Sequence, residues 1–561
     1  MLMLTRLGPA LVILLLTGPI AFGLAGTVLP AFGFLPVLGG MELTLRHFRD
    51  LFSEPAIFTS ASLSLTMGLA TAFISLLTVM LFIAGYAGTR AIGRVQHLVS
   101  PLLSLPHAAA AFGLAFLIAP SGMLARLISP ELTGWQRPPD LLIVNDPMGL
   151  AMMAGLIVKE IPFLLLMTLA ALPQAPLPQT RMLAASLGYG RMAGFLLGLW
   201  PVIYRQIRLP VFAVIAFASS VVDVGIILGP TRPAPLAVRL VEWMDDPDLS
   251  MRNLASAGAL LQLGVTGLAL ALWLGLERLG AALCTRMAMH GWRFRRDALI
   301  RAAALAAMVL AAAIVLAGLC SLLLWSFAGL WQFPDALPSS FTLRTWMRTL
   351  PSILEPLRMT LLAGLLSTLI ASLLAILCLM NEDETRRRPG RGALTLLYLP
   401  LLIPQVAFVF GLQLFLVYAG MLATLPALVL AHLVFVMPYA YLSLKDPWYA
   451  FDRRYDQIAA GLGKGRARRF FSIRLPVMLR AVLTTAAVGF AVSVGLYLPT
   501  VLVGAGRLTT VTSEAVALAS GGNARVIGAY AFWQMFLPAA GFAVATFMPT
   551  LIFRRFRGMQ V

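Results

Sequence analysis

The chain reads as an all-α polytopic membrane protein, with about 12 transmembrane helices forming two parallel six-helix repeats. Three observations predict this. Of 561 residues, 60% are apolar and only 12% charged, against roughly 25% charged in an average soluble domain. Charge-poor runs of 20 or more residues recur along the whole length, enough as helices to cross a hydrocarbon core about 30 Å thick. Short matches between the two halves recur, in order, at a nearly fixed offset.

The net charge of +19 does not point to nucleic acid, because the basic residues sit between apolar runs rather than on one amphipathic face. Cys284, Cys320 and Cys378 have neither the spacing of a disulfide frame nor that of a metal site. Arg6 followed by the run Pro9 to Leu29 has the look of a signal peptide, but it is long and lacks a small-x-small cleavage site. It is taken as a retained first helix.

In order, the expected spans of the first half are 9–29, 59–86, 98–119, 148–172, 209–229 and 255–278. Those of the second are 302–328, 357–380, 394–419, 423–445, 477–503 and 527–553. Lipid offers the backbone no hydrogen-bonding partner, so each run defaults to helix despite its prolines and glycines. With Met1 inside, the inner segments collect roughly 29 Lys and Arg against roughly 11 outside. Inner examples are Arg90 and Arg94, the run Arg386 to Arg388, and the tail Arg554, Arg555 and Arg557. Both termini are therefore expected to be cytoplasmic.

The repeat is carried by Thr44-Leu45-Arg46 and Thr342-Leu343-Arg344, Pro106 and Pro404, Gly113 and Gly411, and Gly122 and Gly420, all 298 positions apart. The offset falls to 276 between Pro162 and Pro438, where the first half has an extra outer loop near residues 125–147. Pairing Pro210 with Pro476 lowers it again, to 266, and implies that one inner loop of the first half is nine residues longer than its counterpart. Six helices per half make the repeat parallel, unlike the inverted repeats of many secondary transporters. The expected division is 1–280, a basic cytoplasmic linker at 281–300, and 301–561.

Two inner loops carry the strongest motif. The second, at about 446–476, contains Gln457, Ala459-Ala460-x-Leu462-Gly463 and then Ile473-x-Leu475-Pro476. The first, at about 173–210, contains Ala184-Ala185-Ser186-Leu187-Gly188 and ends at Leu209-Pro210. The small residues allow another backbone to approach, Gly463 permits a turn, and Pro476 suits a helix start. Without this spacing, a basic inner loop would read as an anchor to anionic lipid. With it, the loops resemble the coupling loops of binding-protein-dependent ABC importer permeases, and the likeness extends over nearly the whole chain. The segment from Leu183 through Trp200-Pro201 to Pro210 is most similar to fused thiamine-type permeases, with ferric-iron permeases next.

The resemblance implies two copies of a cytoplasmic ABC ATPase docked on the two loops. It also implies an external or periplasmic solute-binding protein and a bacterial inner-membrane location. ATP and Mg would reside on the partner, and no cofactor or metal is expected in this chain. Members usually carry a glutamate where Met182 and Gln457 stand, so a salt bridge from that position is not expected here. The chain itself lacks a phosphate loop: Ile458 stands five residues before Gly463, where a glycine is required, and Gly465 replaces the hydroxyl residue after Lys464.

Ionisable residues inside spans are functional candidates by default. Asp223 lies near the outer end of the fifth span, placed to meet a cationic substrate or to cap a neighbouring helix. Lys159 and Glu160 lie midway along the fourth and are expected to bond between helices across the pore or half-interface, with substrate contact as the alternative. His107 reads as a packed, hydrogen-bonded histidine, and Trp325, Trp331 and Trp346 as interface anchors. The resulting expectation is an importer permease for a small solute, thiamine-like first, with ferric iron or a polyamine-like cation as alternatives. A secondary transporter driven by an ion gradient would need a charged relay over several helices, which these few residues hardly supply.

Overall fold

A computed structural model describes residues 2–36 and 39–554. Apart from two isolated β-bridges, the described residues are helical or irregular. Twelve long elements follow the chain. In the first half they are α1 (Leu2–Ala31), α2 (Ile57–Tyr86), α3 (His107–Ile118), α4 (Leu150–Ala171), α5 (Trp200–Ser220) and α6 (Met251–Met289). In the second they are α7 (Ala298–Phe327), α8 (Arg344–Thr385), α9 (Gln405–Tyr418), α10 (Leu425–Ala450), α11 (Leu479–Gly495) and α12 (Ala524–Ile552).

Among the described residues ten helices are long and apolar enough to cross a membrane, and counting each of two bent pairs as one span brings the total to 12. The bends correct the simple spans. The expected span 394–419 is two helices meeting at 88°, broken at Pro404. The expected span 98–119 is likewise interrupted, with a short 3₁₀ turn (Ser100–Ser104) before Pro106 and α3 after it. Proline lacks an N–H and drives the preceding residue out of the α region. Leu105 and Ile403 accordingly have ψ of 131° and 128°.

The spans expected at 209–229 and 477–503 are also split. α5 stops at Ser220 and resumes as Asp223–Leu228, while α11 stops at Gly495 and resumes as Leu498–Gly504. α8 is much longer than 357–380, starting at Arg344 and running for 42 residues. The linker is shorter than 281–300, because α6 continues to Met289 and α7 begins at Ala298.

Neither half closes on itself. α1 packs along α9 and α8 of the second half, and α7 packs along α3 and α2 of the first. Both crossings rely on glycine: a Cβ on Gly411 would strike the backbone of Gly23 and Gly26, and one on Gly113 would strike Gly318. Close backbone approach through small residues is how apolar helices gain packing energy in lipid. The exchange of first helices ties the repeats into one body.

Candidate functional site

Two regions hold the sequence-predicted residues: a pair of polar loops at one face, and a cluster of helix breaks inside the membrane-spanning body.

In the first loop, helix Leu177–Ser186 is followed by Gly188 at φ +76°, and then by helix Arg191–Gly198. In the second, helix Arg454–Gly461 is followed by Gly463 at φ +73° and by helix Arg466–Arg469. The N–H of Tyr189 donates to the carbonyl of Ala184, and that of Lys464 to Ala459, at 2.9 and 3.1 Å. These are Schellman-type caps, which glycine accommodates without a Cβ penalty. Ala184 is half-buried beneath the second helix of its loop, where Gly194 leaves room for it. Ala459 is buried at the equivalent point, while Ala460 and Gln457 are exposed.

This register corrects one pairing. Gly188, Gly190 and Arg191 match Gly463, Gly465 and Arg466 at a constant offset of 275. The proline starting the spanning helix after the first loop is therefore Pro201, preceded by Trp200, just as Pro476 follows Leu475 in the second. Leu209 and Pro210 lie inside α5, with Pro210 buried. The two loops are equally long from glycine to proline, and the nine-residue excess disappears. A proline well inside a spanning helix is tolerated, so a Leu-Pro pair alone does not mark the helix start.

The loops differ in what holds them. Asp383, near the end of α8, receives Arg453 at 2.7 Å, Arg474 at 2.6 Å and the indole N–H of Trp448 at 2.9 Å. Arg474 is buried and stacks 3.7 Å from the Trp448 ring centroid. Glu382 accepts from Tyr441 at 2.7 Å and Tyr449 at 2.5 Å, and Glu384 pairs with Arg466 at 3.5 Å. Ile473 packs partly buried beside Phe451 and Met478. Thr5 of α1 also donates to Glu384, which sets the start of the chain at the same face.

At the matching point the first half has Tyr86-Ala87-Gly88, and its loop is held by the Ala87 carbonyl, which accepts from Arg181 and Arg191. The short linker supplies the rest. Gly190 N–H donates to the Arg293 carbonyl at 2.7 Å, Met192 N–H to Asp297 at 3.0 Å, and Arg295 to the Gly188 carbonyl at 3.1 Å. Each loop then presents apolar side chains outward at matched positions. Leu183 and Leu187 are 61% and 53% exposed, and Ile458 and Leu462 are 64% and 73% exposed. Exposed Leu and Ile side chains on a polar loop form an apolar patch available for contact.

Inside the body, Lys159 and Glu160 are both buried on α4. Lys159 Nζ donates to the carbonyls of Leu102 and Leu103 at 3.0 and 3.2 Å. The Leu102 carbonyl also takes the Leu105 N–H at 3.4 Å, and the ammonium adds a second, charged donor at the break before Pro106. Glu160 contacts the ring of His107, the first residue of α3, at 3.0 Å. Lys159 and Glu160 thus bond within the first half, to residues before and after the Pro106 break. Both pin the two sides of the Pro106 break.

Asp223 is buried at the start of the short helix after the α5 break, within electrostatic reach of His107 and of Tyr497 in the second half. Gly495, at the end of α11, abuts Pro106. The breaks of α5 and α11 and the one before α3 therefore meet where the halves face each other. Polar helix breaks at a repeat interface are the usual construction of a solute path.

His432 was not singled out in the sequence. It bridges the α11 break, with Nδ1 2.7 Å from Ser493 Oγ and Nε2 3.0 Å from Thr500 Oγ1. An ionisable residue within an apolar span was the available signal.

No family model matches the chain. It is 32% identical over 512 residues to the inner membrane ABC transporter permease protein YnjC of Escherichia coli, covering 90% of each protein. It is also 28% identical over 145 residues to the molybdate/tungstate transport system permease protein WtpB of Pyrococcus abyssi, covering 25% of this chain and 56% of that one.

Proposed function

The chain belongs to the inner-membrane ABC transporter permeases, and from this we propose that it carries both permease halves of an importer. The observation that carries the proposal is the pair of loops on one face, equal in length from glycine to proline and alike in turn geometry and exposed Leu or Ile side chains. In this reading each loop seats one copy of a cytoplasmic ABC ATPase. ATP and Mg act on that partner, and this chain hydrolyses nothing itself. Closure of the two ATPases draws the loops together, and the interlocked helices convert this into alternating access at the meeting of the helix breaks. An external solute-binding protein delivers the cargo, and both termini lie on the ATPase side.

For the cargo we infer a small cation, with a thiamine-like compound ahead of ferric iron or a polyamine. The support is Asp223 beside the inter-half interface, with Glu160 nearby through His107. An oxyanion such as the one in the name of the archaeal relative fits these acids less well. An ion-gradient mechanism also finds little support, because Lys159 and Glu160 are engaged in holding the Pro106 break.

The test is uptake by proteoliposomes containing the permease, its ATPase and its binding protein. ATP-dependent accumulation of labelled thiamine is expected, weakened by Asp223→Asn with the ATPase still bound. Accumulation driven by a proton or sodium gradient without ATP would defeat the importer reading. Uptake of molybdate but not of cations would defeat the cargo reading alone.

A further inference from the structure

At the ends of α7 and α8 away from the loops, an apolar groove of about 560 Å³ adjoins a basic pocket of about 490 Å³. The two share Thr342. The groove runs along Cys320, Leu323, Leu324 and Phe327 of α7 and is closed by Phe341 and Leu343. The pocket holds three arginines, Arg344 and Arg348 on consecutive turns of α8 and Arg525 at the start of α12, and no acid lines it. Arg525 donates through Nη2 to the Gly329 carbonyl, while its buried Nε has no acceptor.

The repeat shows that this charge is particular to the second half. Arg46 and Asp50 stand 298 positions before Arg344 and Arg348 and form an i,i+4 ion pair. Where the first half places the acid, the second places another arginine. Neighbouring like charges at i,i+4 repel, so an anion supplied from outside would relieve both.

We propose that this composite site binds one anionic phospholipid, its phosphate on the three arginines and an acyl chain in the groove. Depth favours lipid. Trp325 and Trp331 meet at a tilt with centroids 4.5 Å apart, and Trp346 stacks on Phe327 at 5.5 Å, forming an aromatic belt of the kind found at headgroup level. The groove descends from there along the apolar face of α7, beyond the reach of a soluble protein. A zwitterionic headgroup would bring an ammonium among unopposed arginines, so the lipid selected carries net negative charge.

The experiment is native mass spectrometry of the full chain, titrated with phosphatidylglycerol and, separately, with phosphatidylcholine. One preferred phosphatidylglycerol adduct is expected. Arg344→Gln and Arg348→Gln should each weaken it about fivefold, near the surface value of one basic residue, and Arg46→Gln should not. Cys320 is an independent reporter: phosphatidylglycerol should slow its alkylation in a Cys284→Ser, Cys378→Ser background, and inorganic phosphate should not. Equal retention of both lipids, or full retention by the double arginine variant, overturns the proposal. Displacement of the lipid by millimolar inorganic phosphate would make this a soluble-oxyanion site instead. Loss of binding-protein affinity in Arg348→Gln with lipid retention unchanged would assign the arginines to a protein contact.

Discussion

Gly188 and Gly463 occupy the same point of two loops 275 positions apart, at φ +76° and +73°. Each ends one short helix and turns the chain so that a leucine just before it, Leu187 or Leu462, points outward, 53% and 73% exposed. A fully buried leucine contributes about 1.5–3 kcal/mol. Replacing either leucine with Asp is therefore expected to weaken ATPase binding at least about tenfold, and replacing both should abolish co-purification. Pro210→Ala, inside α5, should leave binding intact. Pull-down of the tagged ATPase from solubilised membranes reads all four variants, and a double-Asp variant that retains the ATPase would exclude these loops as the docking surface.

The anchor at Asp383 gives a second expectation. It neutralises Arg453 and the buried Arg474 and fixes Trp448 beneath the loop. Removing one member of a partly buried ionic cluster strands the others and costs about 3 kcal/mol. Asp383→Ala should raise amide exchange throughout 454–476 and leave 177–198 protected. Equal loosening of both loops would mean that the anchor is global rather than local.

The first loop depends on the linker. Asp297 accepts from Met192 N–H at 3.0 Å and pairs with Arg301 at 3.0 Å. Asp297→Ala leaves a buried N–H without an acceptor, a loss of about 1–3 kcal/mol. Faster exchange at 190–198, with the second loop unchanged, is the expected result. A severed linker between Gly291 and Phe294 should mimic it if the strap acts through its backbone bond to Gly190; a cut chain with a fully protected first loop would refute that role.

Hydropathy made the spans around residues 57–86, 150–171 and 298–327 legible, because lipid demands long apolar runs and these contain little else. The breaks were not legible. The runs around Pro106 and Pro404 stay apolar across the bend, and a membrane helix also tolerates proline without breaking, as Pro210 shows inside α5. Lys159 and Glu160 stood out as charges, but the carbonyls that Lys159 binds lie 57 and 56 positions away, beyond any local pattern. His432 was findable by the same rule that flagged them. The exchange of α1 and α7 between halves left its trace in the glycines of the two crossings, Gly23, Gly26 and Gly411 in one and Gly113 and Gly318 in the other, whose tertiary contacts no spacing announces.

Lys159 and Glu160 differ in what each loses on substitution. Lys159→Met preserves the length of the side chain but withdraws the donor from two buried carbonyls. The Leu102 carbonyl keeps the Leu105 N–H at 3.4 Å, so the loss falls mainly on Leu103, at about 1–3 kcal/mol. Glu160→Gln keeps an oxygen for the His107 ring at the same reach, so its cost should be about half as large. Thermal unfolding in detergent orders the two variants, and amide exchange over residues 100–107 localises the effect. Both variants should retain the ATPase, because the loops are anchored elsewhere, while transport falls more in Lys159→Met as the break before α3 loses its fixed geometry. Unchanged exchange at 100–107 in Lys159→Met would show that the ammonium does not hold the break, and Lys159 would then return to the list of residues facing the solute.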